Sequence, residues 1–208
     1  MKTNKIEEAL DFYFPNPQCE LNYHSDYELL IAIVLSAQST DKRVNQVTSI
    51  LFSNYPSLEA LKDAKLEDLE EIIHPVGSFR KKAEYVKEIA NRLVRDYQGI
   101  VPQDRDILIS FPGVGRKTSN VFLSEFYHYP AIGVDTHVER VSKRLGLAYQ
   151  KDDVIVVENK LMKKFPKEKW AKLHLQLVLF GRYYCKAMKP DCKNCLLFSI
   201  CHEKKKNL

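Results

Sequence analysis

The chain has 208 residues, 45% hydrophobic and 28% charged, the balance of a globular protein with a substantial core in one large domain or two small ones. No apolar run approaches the roughly 20 residues of a membrane span, and MKTNKIEEAL at the start lacks a secretory apolar core, so a cytoplasmic protein without a membrane partner is expected. The net charge of +5 is uneven: from Lys160 onward 13 Lys and Arg face 3 acids, leaving the preceding 159 residues at −5, which suits either a polyanion partner or a solvated basic surface.

Helical periodicity runs through most of the chain. Ser25-Asp-Tyr-Glu28 has the form of a capping box and leads into LLIAIVL, apolar on every side and therefore a buried helix. Lys82 to Tyr97 places Ala83, Val86, Ile89, Ala90, Leu93 and Val94 on one stripe, and Gly99 and Pro102 stop it. Asp104 caps a short helix that reaches Phe111. Pro112 and two glycines break it, and a second helix begins near Arg116. Asp135 caps THVERVSKRL, which Gly146 ends. Val154 to Val157 is β-branched, yet Leu161 and Phe165 continue a helical spacing, so it is read as helix. Glu168 to Tyr184 is a last long helix, delivering Cys185 at its end. The fold class expected is all-α.

Two constellations carry chemistry. In FPGVGRKTSN, Phe111 to Asn120, the spacing fits neither a P-loop, because Arg116 separates Gly115 from Lys117, nor a dinucleotide fingerprint, because Thr118 stands where a third glycine belongs. What remains is helix, glycine hairpin, helix. Such a turn is either a plain helix connection or a phosphate site made of exposed N–H groups at a helix N-terminus, and Arg116 and Lys117 favour the second. The other constellation is CKAMKPDCKNCLLFSIC, with Cys185, Cys192, Cys195 and Cys201 spaced Cys-x6-Cys-x2-Cys-x5-Cys. Four thiolates suit zinc or a [4Fe–4S] cluster, and the single short pair, Cys192 with Cys195, leans toward the cluster. Lys186, Lys189 and Lys193 lie inside the loop, so folding it around a metal also fixes a basic surface.

LLIAIVLSAQSTD, FPGVGRKTSN, GVDTHVERV and the cysteine loop after FGRYYC occur in an order that resembles the endonuclease III branch of the helix–hairpin–helix DNA glycosylases, over nearly the whole chain. The resemblance implies two helical lobes with a DNA-binding cleft between them. One is a six-helix lobe over 22–131 carrying the hairpin; the other joins 1–21 to 132–208 and holds a [4Fe–4S] cluster in loop 185–201 through the four cysteines. It implies Lys117 as nucleophile and Asp135 as its catalytic partner. Gln38 would fill the space left by an extruded nucleotide. Gly113, Val114, Gly115, Arg116, Thr118, Lys186 and Lys189 would contact DNA.

The implied function is a base excision repair glycosylase and AP lyase acting, as a monomer, on duplex DNA with oxidised pyrimidines or abasic sites. Only a neutral amine attacks the sugar, and an unperturbed lysine, with a pKa of ~10.4, is neutral in roughly one molecule in a few thousand at pH 7. A carboxylate that takes the proton once DNA is bound answers that need. His137 is expected to pack the Asp135 turn, Trp170 to lie in the core and Cys19 to be a buried spare thiol. One departure stands out: in VGSFRKKA, Ser78 occupies the place where the family commonly has a bulky apolar wedge, and Phe79 is the nearest replacement. Two competing readings are a monofunctional mismatch glycosylase of the same fold, whose members generally lack a lysine at the position of Lys117, and a non-catalytic DNA-binding scaffold, which would not depend on Lys117.

Overall fold

The computed structural model describes residues 2–207, and every regular element among them is helical. In chain order these are α1 (Lys2–Tyr13), α2 (Asp26–Ser36), α3 (Asp41–Asn54), α4 (Leu58–Asp63), α5 (Leu66–Ile73), α6 (Phe79–Tyr97), α7 (Arg105–Ile109), α8 (Arg116–Phe126), α9 (Thr136–Arg144), α10 (Val154–Lys164) and α11 (Trp170–Tyr183). The chain divides into two compact units, one continuous over Cys19–Tyr127, the other made of the residues up to Gln18 and those from His128 onward. No helix among the described residues is long and apolar enough to cross a membrane.

In the continuous unit α2 is the central rod. Leu29 to Leu35 are all buried, and the helix touches α3, α6 and α8. A helix covered on all sides has no use for a polar face, which is why LLIAIVL has none. Burying these seven side chains contributes on the order of 10 kcal/mol. At its start Ser25 Oγ accepts from Glu28 N at 3.4 Å, while the Glu28 carboxylate reaches one residue past the cap and accepts from His24 N at 2.6 Å. The two short helices α4 and α5 pack on α6, whose buried stripe is Lys82, Ala83, Val86, Ile89, Ala90 and Leu93. The chain leaves α6 through two left-handed residues, Gln98 and Gly99, and Gly99 N closes the end on Leu93 O at 2.8 Å.

In the other unit α11 packs on α1 and α9. Gly181 permits the close approach of α9: a Cβ there would stand 2.8 Å from His137 Cβ. Gln176 Nε2 donates to Asp11 Oδ1 at 2.8 Å and to Phe14 O at 2.9 Å, which ties the chain start to α11. Tyr13, Phe180 and Tyr184 form an aromatic cluster, with the two tyrosine rings 4.4 Å apart. Trp170 is half-buried against this core and donates Nε1 to Phe165 O at 2.9 Å. Cys19 is half-buried rather than buried, on the edge of the core of the first unit.

Candidate active site and cysteine loop

The hairpin begins where Asp104 caps α7, its Oδ1 accepting from the amides of Asp106 and Ile107. Arg92 on α6 then grips the turn, donating from Nη1 to Ser110 O at 2.5 Å and from Nη2 to Ser110 Oγ at 2.8 Å, with its guanidinium 4.2 Å from the Phe111 ring centre. Gly113 is left-handed (φ +75°) and lies so close to the core that a Cβ would stand 2.6 Å from Tyr85 Cδ2 and 3.0 Å from Val34 Cγ1. Val114 is buried and gives its N–H to Phe111 O at 3.1 Å, so its part in the turn is structural. Gly115 starts α8 in extended conformation with no side-chain cap, and Lys117 stands exposed on the first turn. Arg116 and Thr118 beside it are half-exposed. An uncapped helix start with a glycine at its mouth presents N–H donors to an anion.

Elsewhere in the same unit, α2 ends in a loop where Gln38 is exposed with φ 58°. Ser39 Oγ accepts from Gly77 N at 3.2 Å, which links this loop to Ser78, exposed and also left-handed (φ 57°). Phe79 is half-buried against the core, with its ring 4.7 Å from that of His74 and the Arg80 guanidinium 4.7 Å from its centre, while Ser78 beside it is exposed.

In the second unit Asp135 caps α9, and both bonds, from His137 N and Val138 N at 2.8 Å, fall on Oδ1. Oδ2 takes no part in the cap. His137 Nδ1 lies 3.1 Å from Arg140 Nη2 and sits against Gly181, a packing role.

The same helix holds the cysteine loop. Arg140 donates Nε to Cys185 O at 3.1 Å and Nη2 to Gly181 O at 2.8 Å. Arg144 donates Nη1 to Cys185 Sγ at 3.4 Å and to Lys186 O at 2.7 Å, and pairs through Nε with Glu203 at 2.9 Å. Cys185, Cys192, Cys195 and Cys201 line one pocket of about 410 Å³, measured out to its open mouth, with Phe180 and Phe198 among its walls. No three His, Cys, Asp or Glu among the described residues form a single-ion site. Burial pushes the Cys185 and Cys195 thiols up, and Arg144 pulls Cys185 part of the way back. Four soft sulfur donors around one pocket, with Glu203 N (3.5 Å from Cys201 Sγ) and Arg144 directed at two of them, suit a thiolate-bound cluster. Lys186 and Lys189 are exposed on the loop.

A model of the HhH-GPD superfamily base excision DNA repair proteins matches residues 31–167. Endonuclease III of Bacillus subtilis is 49% identical over 99% of this chain and 95% of its own length, and that of Escherichia coli 41% over 92% and 90%. The chain belongs to the endonuclease III family. Two solved structures share the fold over 98% of the chain and 96% of theirs. One is of a trapped endonuclease III–DNA covalent intermediate (TM-score 0.92, 47% identity), the other of a non-covalent endonuclease III–DNA complex (0.93, 46%). In this member of the endonuclease III family, pattern reading passed over Lys82, Arg92, Arg140 and Arg144, which hold the hairpin, the Gln38 loop and the cysteine loop. Only Lys82 left a trace in the sequence, a lysine in register with the apolar stripe of α6.

Proposed function

We propose that this chain removes oxidised pyrimidines from duplex DNA and cuts the strand at the abasic site it creates. The observation that carries this reading is Lys117, an exposed amine on the first helical turn beyond a glycine hairpin. The covalent DNA intermediate trapped with a 47% identical relative supports covalent chemistry here.

The damaged nucleotide leaves the stack first. Lys117 Nζ, as neutral amine, attacks C1′ of the sugar. The bond from C1′ to the base breaks, and the base departs with the electron pair and takes up a proton. The ring then opens to an imine between Nζ and C1′, and loss of a C2′ proton expels the 3′ phosphate. Asp135 supplies the carboxylate. Its Oδ1 is fixed by the two amides of the cap, which orients Oδ2 to accept a proton or to stabilise positive charge on the sugar. Gly113, Gly115, Arg116 and Thr118 would hold a backbone phosphate at the start of α8, on the turn that Val114 shapes. Cys185, Cys192, Cys195 and Cys201 would hold a [4Fe–4S] cluster, whose thiolate bonds pin the loop that presents Lys186 and Lys189 to the backbone.

The test is a duplex carrying one thymine glycol, an oxidised pyrimidine, incubated with protein and borohydride. The protein should release the base, nick the strand and form a covalent band, and Lys117→Ala should form none. Base release without nicking or trapping would move the assignment to a monofunctional glycosylase. Binding without either would leave only a DNA-binding scaffold.

A further inference from the structure

Lys82 is a lysine in the core. It is 5% exposed on the inner stripe of α6, and its Nζ donates to Leu35 O at 2.8 Å and Ala37 O at 2.6 Å. Leu35 lies in the last turn of α2 and Ala37 is its C-cap, where carbonyls run out of helical partners, and the negative end of a helix suits an ammonium. Taking an ammonium out of water is costly unless its donors are met, so an apolar side chain of similar length would serve packing better. Burial alone holds its pKa below the usual lysine value. The position therefore uses the donors.

What the donors hold is the root of an exposed tip. Directly after Ala37 comes Gln38, left-handed, then Ser39, whose hydroxyl accepts from Gly77 N; directly after Gly77 comes Ser78, left-handed too. The Gly77 position faces Gln38 O, which a Cβ there would meet at 3.6 Å. Left-handed backbone is strained for a residue with a side chain and persists only where the surroundings enforce it. Two such residues on adjoining loops share one buried anchor.

We infer that Lys82 is a positioning residue that locks the Gln38 and Ser78 loops into a single two-pronged tip which enters the duplex at the damaged nucleotide. The inference rests on the reading of Gln38 given above and goes beyond it. With only a serine at the wedge position, support of the opened stack falls on Gln38, and Gln38 is placed by the end of α2 that Lys82 holds. A misplacement of about 1 Å can cost up to ~10²-fold in rate.

The test compares Lys82→Met, which keeps the stem and deletes the donors, with Gln38→Ala and the double variant. Substrates are a duplex with thymine glycol, carrying 2-aminopurine opposite it, and a single-stranded abasic oligonucleotide. Lys82→Met should lower kcat on the duplex about tenfold or more, with a smaller change in KM, and lose the 2-aminopurine fluorescence rise. Borohydride trapping on the single strand should stay within about threefold of wild type, and the double variant should be no worse than the poorer single one. If losses are equal on both substrates, or multiply in the double variant, Lys82 is only structural and the inference fails. If wild type neither releases the base nor traps, it is the enzyme reading that fails. Should Lys82→Met not fold, Ser39→Ala, which cuts the Gly77 link, must show the same duplex-specific loss in weaker form. An unchanged Ser39→Ala would then overturn the inference.

Discussion

Replacing Gly113 by alanine puts two separable strains on the hairpin. The first is conformational: at φ +75° a side chain costs ~1–2 kcal/mol. The second is contact. The new Cβ would stand 2.6 Å from Tyr85 Cδ2, 3.0 Å from Tyr85 Cε2 and 3.0 Å from Val34 Cγ1. The first is mid-ring rather than the tip of a mobile chain, and Val34 belongs to the buried face of α2. Overpacking of this kind costs ~1–3 kcal/mol, so Gly113→Ala should lose about 2–5 kcal/mol in all. Urea unfolding followed by far-UV circular dichroism measures it, and Tyr85→Ala provides the partition. In that background the ring contacts are gone, and the penalty should shrink by the larger part of the ~1–3 kcal/mol contact strain, while the Val34 contact and the conformational part stay. Gly115→Ala is the control. Its Cβ meets nothing within 4 Å and its backbone is extended, so stability should stay within about 1 kcal/mol of wild type. Any large loss of DNA affinity in Gly115→Ala would then come from crowding a phosphate. A Gly113→Ala protein as stable as wild type, or a penalty undiminished beside Tyr85→Ala, would refute this reasoning.

Asp135→Asn keeps a capping oxygen and should stay within about 1 kcal/mol of wild type in stability, yet lose most base release; Asp135→Ala should lose both, with ~1 kcal/mol for the cap. Equal activity of Asp135→Asn and wild type would reduce the residue to a cap. Protein purified without oxygen should be brown and contain iron rather than zinc by elemental analysis, and Cys192→Ser should lose the visible absorption. Asp11 is held below the usual carboxylate range by its bonds from Lys172 and Gln176, so the stability it lends is complete above its unfolded value of 3.8 and fades as pH falls through its folded value. Asp11→Asn, which retains an acceptor for Gln176, should flatten that part of the acid-unfolding profile, and an unchanged profile would remove Asp11 from the account.

The helices were legible because each announces itself locally. Asp104 and Asp135 precede apolar periodicity and do cap α7 and α9, and the β-branched Val154 to Val157 does open α10, because Val157 and Leu161 share its buried face. The capping box at Ser25 was legible in half: the hydroxyl bond forms as the pattern requires, but Glu28 reaches back to His24. Glu168 lies in a single turn of 3₁₀ helix before α11 proper starts at Trp170. Illegible were the left-handed residues Gln38 and Ser78, since neither is glycine and the cause of their conformation is tertiary. The surroundings of Phe79 were illegible for a related reason: the sequence shows a bulky side chain beside Ser78, but only packing shows that its ring lies against His74 and Arg80. Lys82 and the arginines of α9 act on carbonyl and sulfur atoms about 41 to 47 residues away along the chain, which no local pattern encodes.

The most direct measurement is the site of attachment. Protein reduced with borohydride on abasic duplex DNA, digested with nuclease and protease, should yield one modified peptide with the sugar remnant on Lys117 Nζ, found by tandem mass spectrometry. Attachment to another lysine, or to the amino terminus, in protein whose Lys117 is intact would contradict the account.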